Sequence, residues 1–373
     1  MPSTSCSTST LSVSELSKGF IPEIDKIKPR WQKNSNQFSG TIQSVFLGSS
    51  IWMNVLLAWL AQTAWDDSLW RKSFRMTKFQ FYGFLELVDP NNNLSCFNTN
   101  LKQGLKGDTL MAMTLLQLRT GQTFHKVGLF FGTTDSTVWE AVDERLTIIC
   151  SKSQNFISFP NPDQALQISQ EIKQEHGFPQ VVGFMDRMIA AIRKPNRSGH
   201  NFAYRKGGYG INSQVVIDNY GIFRDIDVGS PASSHDSRVF KRSSLHSKLQ
   251  HGLIPLIPTV YLQRPKEDGT IEEIEVSRMV VADQGYPLSG YVQTPISDRM
   301  FECLTWQERL FCYLFSKIRV TVECAIGHVK GKWRILLRGI DAKKKKTAPR
   351  LSSHAALYTT IFAFWNLQSQ LTG

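Results

Sequence analysis

The chain has 373 residues, 41% of them hydrophobic and 20% charged, with a formal net charge of +12. Such a length exceeds what one hydrophobic core usually serves, so two domains plus tails are expected, and the ordinary composition excludes a repeat array or a fibre. Six scattered cysteines, Cys6, Cys96, Cys150, Cys303, Cys312 and Cys324, include no CxxC pair, which argues against a disulfide framework or a structural zinc and for a reducing compartment.

The Ser/Thr-rich start, Met1 to Leu16, lacks the basic and apolar regions of a secretory signal. Residues 1–44 are polar, with too few apolar side chains to offset ordering entropy, and are expected to be disordered. Val45 to Ala61 is strongly apolar, but it carries Ser49, Ser50 and Asn54 and is short for a bilayer span. A buried helix is expected there, and no membrane association.

Helical periodicity runs from Val45 to about Asn155, giving an all-helical domain over 45–155 in which Leu115, Leu116, Leu118, Val127, Leu129 and Phe130 supply apolar faces. Within it, 123–150 has the form helix, tight turn, helix. Thr123 is placed to cap the first helix, Gly132 to make the turn, and Asp135 or Ser136 to start the second. Val138, Val142, Leu146 and Ile149 then form one buried stripe, leaving Asp135, Ser136 and Thr137 to meet a DNA groove. A plain antiparallel helix pair fits the same pattern.

After about Gln170 the pattern changes to short β-like runs. Val181 to Met185 ends at Asp186. Ser213 to Ile217, the turn Asp218-Asn219-Tyr220-Gly221 and Ile222 to Val228 form a hairpin signal. Val260 to Val276, interrupted by Lys266-Glu267-Asp268-Gly269, has the form of an inserted hairpin, and Met279 to Ala282 ends at Asp283. From about Phe315 helical periodicity returns, with Ile318, Val322, Ala325, Val329 and Trp333 as the buried stripe. Arg319, Glu323, Lys330 and Arg334 share a polar face.

If the strands ending at Asp186 and Asp283 are neighbours, both carboxylates leave the sheet at one edge. They would repel one another unless a hard cation such as Mg²⁺ or Mn²⁺ lay between them. Glu323 is a third candidate, with Gly327 leaving room one turn on; an i, i+4 pair with Arg319 is the competing reading. In Gly229 to Ser237, Asp236 either ligates a metal, holds His235, or caps the helix that follows. The basic stretch Ser316 to Arg350 has eleven Lys or Arg against Glu323 and Asp341, so it carries +9 of the +12. It suits either a phosphate backbone or a solvated helix and tail.

Taken in order, five segments carry a resemblance: Val182-Gly183-Phe184-Met185-Asp186; Arg205-Lys206-Gly207-Gly208-Tyr209 with Asn212; His235-Asp236-Ser237-Arg238-Val239-Phe240; Ala282-Asp283-Gln284-Gly285-Tyr286-Pro287-Leu288 with Thr294-Pro295; and Arg319 and Glu323 with Gly327, Lys330, Trp333, Arg334, Ile335 and Leu336. Together they resemble the PIF/Harbinger transposases, the DDE superfamily endonucleases, over most of Arg75 to Gln368.

The resemblance implies an α/β fold: a ribonuclease H-like core over 170–342, with a mixed five-stranded sheet flanked by helices, preceded by the helical domain. Residues 343–373 would be a basic segment and a C-terminal helix packing on the core. Asp186, Asp283 and Glu323 would be catalytic and, with Asp236, ligate two divalent ions, Mg²⁺ or Mn²⁺. Arg205, Lys206, Lys330 and Arg334 would contact DNA, and Lys343 to Lys346 would contact phosphates or serve nuclear import. The implied partners are DNA, a separate Myb-like DNA-binding protein and a second copy of the chain; the implied location is the nucleus, with cytoplasm as well.

The chain departs from the family's pattern at Arg187-Met188-Ile189, where a small residue and Thr-His are usual, at Ala232 for Gly, and at Tyr204 for Asn. A domesticated, non-catalytic DNA-binding or interaction protein of the same fold is therefore the alternative to a nuclease. Arg187 is expected to compete with a metal for the Asp186 carboxylate.

Overall fold

The computed structural model describes residues 67–90, 105, 107–195, 199–205, 207–252, 254, 260–266, 269–297, 303–338, 361–363 and 365–366. The expectations for residues 1–44, Val45 to Ala61, Lys206 and Lys343 to Lys346 lie outside them. The described residues divide into two compact units, one containing those within 67–116 and 122–142 and the other those within 117–121 and 143–366.

In the first unit the described helices are α1 (Asp67–Phe74), α2 (Lys78–Val88), most of α3 (Gly107–Thr120), α4 (Phe124–Phe131) and the start of α5 (Asp135–Ser151). Trp70, Phe74 and Phe81 stack edge and face in its core, with ring centroids 4.9–5.8 Å apart. Thr123 caps α4 by accepting the Lys126 amide, and Gly132 closes it in the left-handed region at φ 64°, where glycine carries no Cβ penalty. Val138, Val142, Leu146 and Ile149 are all buried, as their spacing predicts.

Two details differ. Leu129 and Phe130 are exposed rather than inward. Thr137 is buried, its hydroxyl sharing a 3.0 Å hydrogen bond with Thr134, so only Asp135 and Ser136 of the expected polar trio face solvent.

The second unit is built on a mixed five-stranded sheet with flanking helices. Its strands are β1 (Val181–Ile192), β2 (Tyr209–Ile217), β3 (Phe223–Pro231), β6 (Met279–Val281) and β7 (Val292–Gln293), in the order β3-β2-β1-β6-β7. The β1-β2 and β2-β3 pairs are antiparallel; β1-β6 and β6-β7 are parallel. The inserted hairpin is a separate two-stranded sheet, β4 (Val260–Pro265) with β5 (Ile271–Val276).

The flanking helices are α6 (Pro162–His176), α7 (Gly199–Phe202), α8 (Asp236–Arg242), α9 (Ser244–Gln250), α10 (Trp306–Lys332) and α11 (Ile335–Arg338). Helix α6 starts at a capping box between Asn161 and Gln164 with Pro162 at its first position. It runs to His176, past the point where the β pattern was expected to begin.

Two further boundaries differ from the sequence reading. Strand β1 does not stop at Asp186 but pairs with β2 through Ile192. Helix α10 begins at Trp306, under a Thr305–Glu308 capping box, rather than near Phe315. No described helix is long and apolar enough to cross a membrane.

An irregularity in the ladder between Val181 and Gly183 interrupts the alternation at Val182; from Gly183 onward, alternation along β1 sorts its side chains between two layers. Val182 and Met185 join Val216, Phe240, Leu245, Leu249, Val280, Ala282 and Tyr286 in one apolar cluster, which contains side chains of α8 and α9. Phe315, Ile318, Val322 and Val329 of α10 are buried along a helix that lies against β1. This layering decides which partner each charged residue of β1 can reach.

Candidate functional site

Asp186 lies in mid-strand, opposite Val215 of β2, and one residue after Met185 it points to the other side of the sheet, where α10 lies. Its Oδ1 accepts the Arg187 backbone N–H at 2.7 Å, and its Oδ2 is 3.5 Å from Arg319 Nη2. The same Arg319 nitrogen is 3.5 Å from Glu323 Oε1. The i, i+4 pair foreseen in the sequence is thus present, but it is shared with Asp186. One guanidinium ties an acid on the central strand to an acid on the helix.

Asp283 follows β6 directly. The parallel register pairs Phe184 with Val281, so Asp186 and Asp283, two residues further on each, emerge at the same level of neighbouring strands. A tight turn holds Asp283: its Oδ1 accepts the Gly285 amide at 2.9 Å, and its carbonyl accepts the Tyr286 amide. A Cβ on Gly285 would fall 2.9 Å from Asp236 Oδ2 and 3.0 Å from Asp283 Oδ1. Glycine is therefore what lets these two carboxylates close over that backbone.

Asp236 is the first residue of α8. The helix N-cap is His235, whose side chain makes no capping bond, so the capping role considered for Asp236 does not occur. Its Oδ1 lies 3.3 Å from Arg187 Nη1. Arg187 was expected to compete at Asp186, but successive residues of a strand face opposite ways, and its guanidinium goes to Asp236 instead.

Burial lifts the Asp186 carboxyl to about 6; the Arg187 amide and Arg319 oppose the rise, while Asp283 and Glu323 add to it. Burial also raises Asp236, against Arg187 and with the help of Asp283. Asp283 thus acts on both neighbours. Tyr286, buried beside Asp236, Asp186 and Asp283, is raised well above a free phenol by burial and by those three charges. The sequence reading quoted Tyr286 only as part of a motif; its burial inside an acidic group is what sets it apart.

Four carboxylates with mutual repulsion form an all-oxygen donor set that suits a hard cation in chemistry. Among the described residues no three His, Cys, Asp or Glu side chains are gathered closely enough to hold an ion as they stand. Guanidinium groups stand beside Asp186, Glu323 and Asp236 instead. Of the residues expected to meet DNA, Arg205 and Arg334 are exposed and Lys330 is half-buried at the end of α10.

Residues 185–360 match the family described as DDE superfamily endonuclease. The rat protein that bears the name "Putative nuclease HARBI1" is 26% identical over 42% of this chain and 45% of its own length. Its human counterpart is 24% identical over 46% and 49%. An Arabidopsis thaliana ALP1-like protein is 22% identical over 77% of this chain and 68% of its own length. The chain therefore spans less than half of the HARBI1 proteins it matches. No solved structure gives a match.

Proposed function

We propose that this chain, which belongs to the Harbinger-related DDE superfamily endonucleases, is a divalent-metal-dependent DNA endonuclease and strand-transferase acting at transposon ends. The observation that carries the reading is the convergence of Asp186, Asp283 and Glu323, three acids from β1, the end of β6 and α10, with Asp236 beside Asp283. A sheet order of β3-β2-β1-β6-β7, with three antiparallel strands leading into two parallel ones, supports a ribonuclease H-like core.

In this reading Asp186, Asp236, Asp283 and Glu323 would hold the metal, Mg²⁺ or Mn²⁺. When bound, such an ion activates water and neutralises charge at a transferring phosphoryl group. The water oxygen attacks phosphorus and the 3′-oxygen of the cut strand leaves; the freed 3′-hydroxyl then attacks a phosphodiester of target DNA. Arg319 keeps Asp186 and Glu323 in one orientation. Arg205, Lys330 and Arg334 lie on the phosphate backbone, a sequence-independent and salt-sensitive contact, as would Lys206. DNA, a Myb-like DNA-binding protein and a second copy of the chain are its proposed partners, and the nucleus its proposed location.

The competing reading, a domesticated binding protein without turnover, is favoured by the Arg187–Asp236 pair at a position where the resemblance leads one to expect a small residue. Supercoiled plasmid incubated with the full chain, with and without Mg²⁺ or Mn²⁺, separates the two. Metal-dependent nicking that disappears in Asp186→Ala and Glu323→Ala is expected. Salt-dependent binding without nicking, even with Mn²⁺ and a Myb-like partner present, would establish the competing reading, and Asp283→Asn that nicks as fast as the native chain would remove that acid from the site.

A further inference from the structure

Helix α10 carries two regular stripes. One is the buried stripe through Phe315, Ile318, Val322 and Val329 on the side toward β1. The other consists of Trp306, Leu310, Tyr313, Lys317, Val320 and Cys324, which recur at alternating steps of four and three residues, the spacing of a coiled-coil seam. All six are exposed, and the four large apolar or aromatic ones are 44–69% exposed, so this side of the helix packs on nothing of its own chain. The seam is about 27 Å long, far more apolar surface than scattered solvent-facing residues supply. Gly327 and Gly331 continue the same spacing. A Cβ at either would meet nothing within 4 Å, so packing within the chain does not call for a residue that weakens a helix interior.

The composition of the stripe selects what covers it. A DNA backbone would find one cation, Lys317, in six positions, too few for a phosphate track. A second copy laid parallel would set Lys317 against Lys317 and Trp306 against Trp306. Laid antiparallel, about a dyad level with Phe315, the two stripes complete each other. Each Lys317 ammonium comes over Tyr313 of the second copy, an attraction between a cation and a π face. The same register sets Cys324 against Trp306 and Val320 against Leu310, so each large side chain meets a smaller one. It also brings the Thr305-capped start of the second helix beside the bare backbone at Gly327. Every contact then occurs twice, as an isologous two-fold interface requires. Arg319, which reaches Asp186, is not part of this stripe, so seam and carboxylate cluster occupy different faces of one helix.

We infer that the exposed stripe of α10 is a dimer interface, closed by α10 of a second copy running antiparallel. The inference gives a surface to the second copy proposed above as a partner, and it stands whether or not the chain cuts DNA.

Sedimentation velocity of the full chain, in EDTA and without DNA, over a range of micromolar concentrations tests it. A concentration-dependent dimer is expected. Tyr313→Lys sets like charges against Lys317, and Leu310→Asp puts a carboxylate into an apolar layer; each should raise the dimer dissociation constant by about tenfold or more. Both change exposed side chains, and an unaltered circular dichroism spectrum and thermal midpoint would show the fold kept. Tyr313→Lys combined with Lys317→Glu restores opposite charges across the seam and should bring the constant back to within about threefold of the native value. In a parallel pairing each of these substitutions would face only itself, and no recovery would follow. A native chain that stays monomeric throughout, folded Tyr313→Lys and Leu310→Asp that dimerise as the native chain does, or a folded double variant without recovery would each overturn the inference. The nuclease reading would survive all three, since plasmid nicking tests it separately.

Discussion

Two sites on the β1-β2-β3 sheet, only three residues apart along the β1-β2 ladder, treat buried charge in opposite ways. At the β2-β3 turn, Asp218 is fully buried and fully answered: Oδ2 accepts two bonds from Arg224, at 2.7 and 2.8 Å, while Oδ1 accepts the amides of Tyr220 and Ile222 at 2.9 and 3.0 Å. Among the four acids beside β1 and β6, the contacts to arginine are 3.3–3.5 Å, well beyond the 2.7–2.9 Å of a strong charge-assisted bond. Charge that is completely partnered serves the fold. Charge that is loosely partnered remains available to something else, and the contrast in partnering is what marks the carboxylate cluster as the functional site.

Breaking the well-partnered site should produce the largest change in stability. Asp218→Ala takes the carboxylate from beside Arg224, itself 6% exposed, and strips two turn amides of their acceptor. Removing one partner of a buried pair costs about 3–5 kcal/mol, so the urea midpoint should fall by an amount seen with few other single substitutions in this unit. A loss under about 1 kcal/mol would mean that Arg224 finds a new partner and that the contrast between the two sites is false.

At the loosely partnered site the sign reverses. The Asp186 carboxyl is raised to about 6 from an ordinary value near 3.8. A carboxyl raised by folding binds its proton more readily in the native state than in the unfolded chain. The native structure therefore loses stability as pH climbs from about 4 to about 6, bears the whole penalty above that window and none below it. Asp186→Asn removes the ionisable group. In EDTA at pH 7 it should be more stable than the native chain by about 2 kcal/mol, with the gain vanishing by pH 4 and plasmid nicking abolished.

How far this contrast could be read in the sequence depended on whether the signal was local. The β2-β3 hairpin was legible because Asp218-Asn219-Tyr220-Gly221 is turn chemistry complete in four residues. Thr123, Gly132 and the Val138 stripe were legible for the same reason, as were both strands that lead to Asp186 and Asp283. Strand β1 beyond Asp186 was not, because the pair Asp186-Arg187 breaks the apolar run while the ladder to β2 continues regardless. The first turns of α10 were hidden because Trp306, Leu310 and Tyr313 are apolar yet exposed, so no buried stripe announces them. Arg187 pairing with Asp236 was out of reach, since it depends on which face of the pleat each residue takes and on where α8 begins.

The smallest expected effect gives the sharpest comparison. Asp225 of β3 is also raised to about 6, mainly by burial, with Lys248 opposing and Asp227 adding to the rise. By its titration alone it is the equal of Asp186. It differs in its surroundings: its charged neighbours are Lys248 and Asp227, not a converging set of acids from other elements. Asp225→Asn should therefore stabilise the chain at pH 7 by about 1 kcal/mol, with the gain again gone by pH 4. The gain is smaller than at Asp186 because Lys248 loses its partner, whereas Arg319 keeps Glu323. Nicking should be unchanged. If Asp225→Asn abolished cleavage while folded, an acid displaced by burial would be as informative as one held among converging carboxylates, and the geometric basis for separating the two would be lost.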